Sequence, residues 1–150
     1  VEAETRKILG RWGSGAAAVE PAPVKLSATC TRVAVQDGHT ETVSIGLGRR
    51  ASLDEVRDAL RSWEGSPEAR DLPSSAPRWI EVLEAPDRPQ PRLDRETHGG
   101  MATVVGRLRE DGVLENGVKL VLVSHNTKMG AAKGAVLVAE LMRARGFLAR

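Results

Sequence analysis

The chain has 150 residues, 41% of them hydrophobic, which is enough for one domain to close its own core without disulfides or metal. Its 22 basic and 20 acidic residues are scattered, the net charge is only +2, and aromatic residues make up 3%, so we expect no nucleic-acid surface. A single cysteine excludes an internal disulfide framework and a cysteine-rich zinc site, which fits a reducing cytoplasm.

No run approaches the roughly 20 apolar residues that span a bilayer, so we also expect no membrane partner. Residues 1–9 have a helical composition without a capping residue ahead of them, as if the start of a helix were missing. We therefore expect the chain to be a fragment. Glycines and prolines predict a loop over residues 10–23.

Two strands are predicted next, over residues 25–35 and 40–47, joined as antiparallel neighbours by the turn-forming sequence Gln36-Asp37-Gly38. Ser52 and Glu55 predict a capping box, and the apolar spacing that follows predicts an amphipathic helix ending before Gly65. A strand is expected over residues 78–85, and the proline-rich, charged span 86–100 is expected to be an exposed connection.

Strands are also predicted over residues 102–109 and 117–124, and the second is apolar enough to be a central strand. Residues 130–145 are small or apolar almost all round, which predicts a buried helix. Together these elements predict an α+β domain with a mixed, largely antiparallel sheet packed by helices.

Two residues in the first half of the chain could carry chemistry. Arg32 stands in an otherwise neutral predicted strand, where it needs an anionic partner: either an internal carboxylate or a substrate carboxylate held by two hydrogen bonds. His39 follows a tight turn at a strand edge, where it is either simply solvated or an acid/base group that works near neutral pH.

In the second half, His125 and Asn126 join a predicted central strand to the last helix, a position where open sheets present ligand sites. The small residues 130–134 indicate close packing or a mild anion site at a helix start. Cys30 has no basic neighbour and is expected to be structural, and three scattered histidines predict no metal site.

The order and spacing of five motifs resemble the C-terminal domain of the aspartate-semialdehyde dehydrogenase family, in its archaeal and fungal branch. The motifs are ETRKILG at 4–10, SATCTRV at 27–33, GHTE at 38–41, VGRLR at 105–109 and SHNTKMGAA at 124–132. The resemblance implies that residues 1–150 form one substrate-binding and dimerisation domain, with the nucleotide-binding domain and its nucleophilic cysteine lying outside the chain.

The resemblance also implies roles for individual residues. Arg32 matches the arginine that binds the substrate carboxylate, His39 matches the general acid/base, and Asn126 matches a segment close to the cofactor. The implied reaction is the NADP-dependent interconversion of aspartate semialdehyde plus phosphate and aspartyl phosphate, in lysine, threonine and methionine biosynthesis, by a homodimer or homotetramer. The apolar sheet would supply the dimer surface.

Two alternatives remain open from the sequence. An acyl-CoA reductase of the malonyl-CoA type shares this resemblance, and a non-catalytic dimerisation module is a function of a different class. We expect the chain by itself to be inactive, because it contains no Gly-x-Gly-x-x-Gly fingerprint for a dinucleotide.

Overall fold

A computed structural model describes residues 1–14 and 18–148 of the chain. These fall into two compact units, Val1–Ala34 and Val35–Arg150. Within the described ranges, no helix combines the length and the apolar character that crossing a bilayer requires.

The N-terminal unit begins with helix α1, Glu2–Ile8, whose first turn is acidic and whose last turn is basic. This arrangement complements the helix dipole. A short antiparallel ladder follows, in which β1, Arg11–Trp12, pairs with β2, Val19–Glu20. Further along the unit, the backbone N–H of Ala28 donates to Glu2 Oε1 over 2.6 Å.

The predicted strand over residues 25–35 is wrong, because this segment has no regular secondary structure. Its β-branched residues suit a strand, but a strand also needs a hydrogen-bonding neighbour, and the next strand of the chain, His39–Gly46, pairs with Gly117–Ser124 and not with this segment. The predicted hairpin through residues 36–38 is therefore wrong as well. Arg32, expected to lie inside a strand, is exposed on an irregular segment.

The C-terminal unit contains a four-stranded sheet in the order β3-β6-β5-β4. Strand β4 runs parallel to β5, and the other two pairings are antiparallel, which confirms the predicted fold class. The predicted central strand is confirmed too, since β6 lies between β3 and β5. The strands are β3 His39–Gly46, β4 Ile80–Leu83, β5 Thr103–Asp111 and β6 Gly117–Ser124.

One face of this sheet packs against helix α2, Leu53–Ser62. The predicted capping box is confirmed: Glu55 N–H donates to Ser52 Oγ over 3.1 Å, and Ser52 N–H donates to Glu55 Oε2 over 2.7 Å. Leu60 of this helix packs on a buried cluster of sheet residues. That cluster consists of Val82, Val105 and Leu120.

Residues 88–101 approach the opposite face of the sheet. A Cβ at Gly106 would lie 2.5 Å from the carbonyl oxygen of Arg88, so this loop and β5 touch backbone to backbone. Val104 and Val123, which point to this face, are fully buried. The prediction of an exposed connection over 86–100 is therefore wrong in part: Arg88 and Pro89 lie against β5, and Pro89, Asp94 and Gly100 are buried. The segment includes helix α3, Pro91–Asp94, and a 3-10 turn, Thr97–Gly100.

The last helix begins with a π-helical turn, Lys128–Ala132, and continues as α4, Lys133–Ala144. The helix is where the sequence predicts it, but its predicted burial is wrong, since none of its residues is buried. A helix that is apolar all round is buried only where other elements pack against it. In the described part of the C-terminal unit, Glu140 of this helix is hydrogen-bonded only to Ser74. Val136 and Val138 are about half exposed.

Candidate functional site

His39 is the first residue of β3, at the edge of the sheet. It is exposed, and its predicted place at a strand edge is confirmed. It pairs with Ser124 of β6, so the two side chains project from the same face. The hydroxyl of Ser124 lies 2.7 Å from that of Thr103, and the imidazole therefore stands at a polar end of the sheet.

The residue before this histidine is held on two sides. Gly38 is buried and adopts a φ of +108°, a conformation that L side chains rarely adopt. A Cβ here would come within 3.2 Å of Pro91 Cβ, a tight contact that adds to the strain of the positive φ. The backbone N–H of Gly38 donates to Asn126 Oδ1 over 2.8 Å. Asn126 thus contacts the backbone immediately beside His39.

His125, next to Asn126, is 3% exposed and makes hydrogen bonds from both ring nitrogens. Nδ1 accepts from the backbone N–H of Lys128 over 3.3 Å, and Nε2 lies 3.2 Å from Glu96 Oε1. Because a backbone N–H can only donate, Nδ1 is the acceptor in the neutral ring, and the proton on Nε2 faces the carboxylate.

Glu96 binds two residues of this turn. The ammonium group of Lys128 donates to its carboxylate, which His125 also contacts. The hydrogen bond from Lys128 lowers the pKa of Glu96 most strongly, while burial opposes this and His125 adds to it. The carboxylate is thus held ionised at neutral pH and anchors the turn that carries Asn126.

Arg32 belongs to the N-terminal unit, whereas His39 and Asn126 belong to the C-terminal unit. Among the residues that the structure describes, no salt bridge includes Arg32. The internal ion pair left open by the sequence is therefore not seen there, and Arg32 is exposed.

Two other predictions concern reactive groups. Cys30 is a free, exposed thiol on the irregular segment 25–34. Across residues 1–14 and 18–148, the structure contains no group of three or more His, Cys, Asp or Glu side chains that could hold a metal ion.

The sequence profile of the family "Semialdehyde dehydrogenase, dimerisation domain" matches residues 1–129, most of the chain. The chain belongs to this family. Its resemblance to aspartate-semialdehyde dehydrogenases is confirmed by an enzyme of that name from Methanothermobacter thermautotrophicus, 45% identical over 95% of the chain, and by one from Candida albicans, 41% identical over 99%.

Solved structures of the same enzyme also match this semialdehyde dehydrogenase domain. The crystal structure of the Candida albicans enzyme with NADP covers 98% of the chain with a TM-score of 0.86 and 40% identity. That of the Vibrio cholerae enzyme II complexed with ASA covers 72% with a TM-score of 0.55 and 30% identity. The chain spans about 40% of the length of these curated relatives, and 42% and 27% of the two crystallised chains.

Sequence reasoning singled out His125 by its place at a strand end but missed its partner Glu96, 29 residues away. It also missed the bond between Asn126 and Gly38, which are 88 residues apart. Local patterns carry no signal for either contact. A search for a carboxylate that could satisfy a buried histidine would have suggested only that some partner exists.

Proposed function

We propose that this chain is the C-terminal, substrate-binding and dimer-forming part of an NADP-dependent aspartate-semialdehyde dehydrogenase. The observation that carries the proposal is identity above 40% along nearly the whole chain to enzymes of that name, together with a shared fold at a TM-score of 0.86. In the complete enzyme, a nucleotide-binding half that supplies the nucleophilic cysteine joins this chain. A reducing cytoplasm remains the proposed location.

The proposed reaction interconverts aspartate semialdehyde plus phosphate and aspartyl phosphate, on the way to lysine, threonine and methionine. NADP accepts the hydride in the oxidative direction. His39 takes up or returns the proton of the reacting oxygen, a task that suits an exposed imidazole at a polar strand end. Arg32 binds the substrate carboxylate through the two parallel hydrogen bonds that only a guanidinium can offer.

Asn126 remains our proposed contact to NADP, and its geometry fits that role. Its Oδ1 is occupied by the N–H of Gly38, while the side chain is half-buried. The amide Nδ2 can therefore donate to an acceptor on the cofactor without breaking the bond to Gly38.

A homodimer, or a homotetramer built from it, is the proposed assembly, and the family's description as a dimerisation domain supports the dimer. The exposed apolar sheet face that the sequence led us to expect does not support this proposal, because residues on both faces of the sheet are buried within the chain. Val104 and Val123 are buried on one face, and Val105 and Leu120 on the other.

The test is steady-state kinetics of the complete enzyme with aspartate semialdehyde, phosphate and NADP. His39→Ala should lower kcat by about 100-fold or more, as loss of a general acid/base does. His98→Ala, a change at another exposed histidine, is the matched control and should leave kcat near the wild-type value. An equal loss of kcat in both variants would contradict a specific role for His39 in the reaction.

Arg32→Lys should raise KM for aspartate semialdehyde and also lower kcat, because an ammonium cannot reproduce the two-pronged contact. Arg6→Lys, at an exposed arginine of the same unit, is its control. A wild-type enzyme that reduces malonyl-CoA but does not use phosphate and aspartate semialdehyde would instead establish the acyl-CoA reductase alternative.

A further inference from the structure

We propose that Asn126 is a positioning residue: its side chain ties down Gly38 and so sets the backbone that carries His39. The proposal rests on the function proposed for His39. It gives Asn126 a role within the substrate half of the enzyme, in addition to any contact with the cofactor.

The place of the bond in the sheet supports this inference. His39 forms the last pair between β3 and β6, opposite Ser124, and β3 is an edge strand. The end of an edge strand opens more readily than its centre because it has a neighbour on one side only. The bond from Gly38 N–H to Asn126 Oδ1 lies one residue beyond that last pair. It therefore closes the strand end at the residue from which the imidazole projects.

The turn that carries Asn126, whose side chain accepts the hydrogen bond from Gly38, is itself anchored. The buried ring of His125 binds the backbone of Lys128 on one side and the carboxylate of Glu96 on the other. Thr127 makes a second link, 3.4 Å long, from its hydroxyl to Asp37 Oδ1. The turn that carries Asn126 is thus anchored to Glu96 and bonded to Asp37 and Gly38, the two residues that precede His39.

Two substitutions separate the acceptor from the rest of the side chain. Asn126→Asp keeps an oxygen that can accept from Gly38 N–H at nearly the same volume, but loses the Nδ2 donor. Asn126→Ala loses both. If positioning through Oδ1 is a role, the aspartate variant keeps the bond to Gly38 as the wild type does, and the alanine variant loses it. If a donor contact to NADP is the whole role, both variants raise KM for NADP and neither changes the exchange of the Gly38 amide.

The first measurement is amide hydrogen exchange in the 150-residue chain, which needs no activity. Exchange at Gly38 should be at least about 10-fold faster in Asn126→Ala, near wild type in Asn126→Asp, and unchanged for amides of central strand β6. Unchanged exchange at Gly38 in the alanine variant overturns the proposal. If β6 is also affected in that variant, Asn126→Asp decides: protection of Gly38 supports the tether and its loss overturns it.

The second measurement is kinetics of the complete enzyme. Measured at saturating NADP, Asn126→Ala should lower kcat about 10-fold or more with little change in KM for aspartate semialdehyde, and Asn126→Asp should lower kcat less, while both variants should raise KM for NADP. A wild-type kcat in the alanine variant at saturating NADP overturns the positioning role. A wild-type protein without the dehydrogenase activity would refute the proposed function, while the exchange of Gly38 still reports whether the tether exists.

Discussion

Asp94→Asn should destabilise the C-terminal unit by about 2 kcal/mol, the usual scale for weakening buried hydrogen bonds to a charged group. The carboxylate is 2% exposed and accepts from Arg88 Nε over 2.8 Å, from the other arm of that guanidinium, and from Gln90 N–H over 2.6 Å. Asparagine fills the same volume and leaves no cavity. It turns an NH2 group towards donors and removes the charge.

The assay is urea unfolding of the 150-residue chain. With a slope of about 2 kcal/mol per M, a loss of 2 kcal/mol lowers the midpoint by about 1 M. Asp58→Asn, at an exposed position of helix α2, is the control and should leave the midpoint within about 0.2 M. An unchanged midpoint in Asp94→Asn, or an equal fall in the control, would refute the reasoning.

The ion pair between Asp94 and Arg88 also predicts how the free energy of unfolding depends on pH. Burial raises the pKa of Asp94, but the hydrogen bond from Arg88 and that from Gln90 N–H outweigh it, so the folded-state pKa is lowered. A lowered folded pKa contributes stability above the unfolded value of about 4 and loses it as pH falls further. The gap in stability between wild type and Asp94→Asn should thus be constant from pH 7 to about 5 and narrow below about 4. A gap that widens on acidification would contradict this.

Three further outcomes can be checked on the 150-residue chain. Gly38→Ala should cost about 1–2 kcal/mol of unfolding free energy, seen as a lower Tm, because φ is +108° and Pro91 Cβ lies 3.2 Å from the new methyl group; an unchanged Tm would show that the turn can relax. Light scattering over a dilution series should give a constant mass near twice 16.1 kDa, and a monomer would count against the dimer. The chain alone should form no NADPH with phosphate and aspartate semialdehyde, and turnover would show that the nucleophile lies within it.

Part of the site could be predicted from the sequence. The motif at 38–41 indicated His39 and placed it at a strand edge, and the motif at 124–132 drew attention to His125 and Asn126. The sequence placed Arg32 on a strand that does not exist. It could not reveal the bond between Gly38 and Asn126, because two positions 88 residues apart become neighbours only when β3 pairs with β6.

The sequence by itself determined what depends on a few neighbouring residues. The capping box at Ser52 and Glu55 fixed the start of α2, and the apolar run of residues 118–123 marked β6 as central, because caps and strand patterns act within one turn or one strand. The order of five motifs was enough to indicate the family.

Only the tertiary structure decided which strand pairs with β3, which segment covers the second face of the sheet, and how exposed α4 is. Each of these depends on surfaces contributed by distant parts of the chain. A β-branched segment that pairs with no other strand stays irregular, as residues 25–34 do, and an apolar helix is buried only where other elements pack against it. Local propensity indicates where a helix or strand can form, and long-range packing determines its partners and its burial.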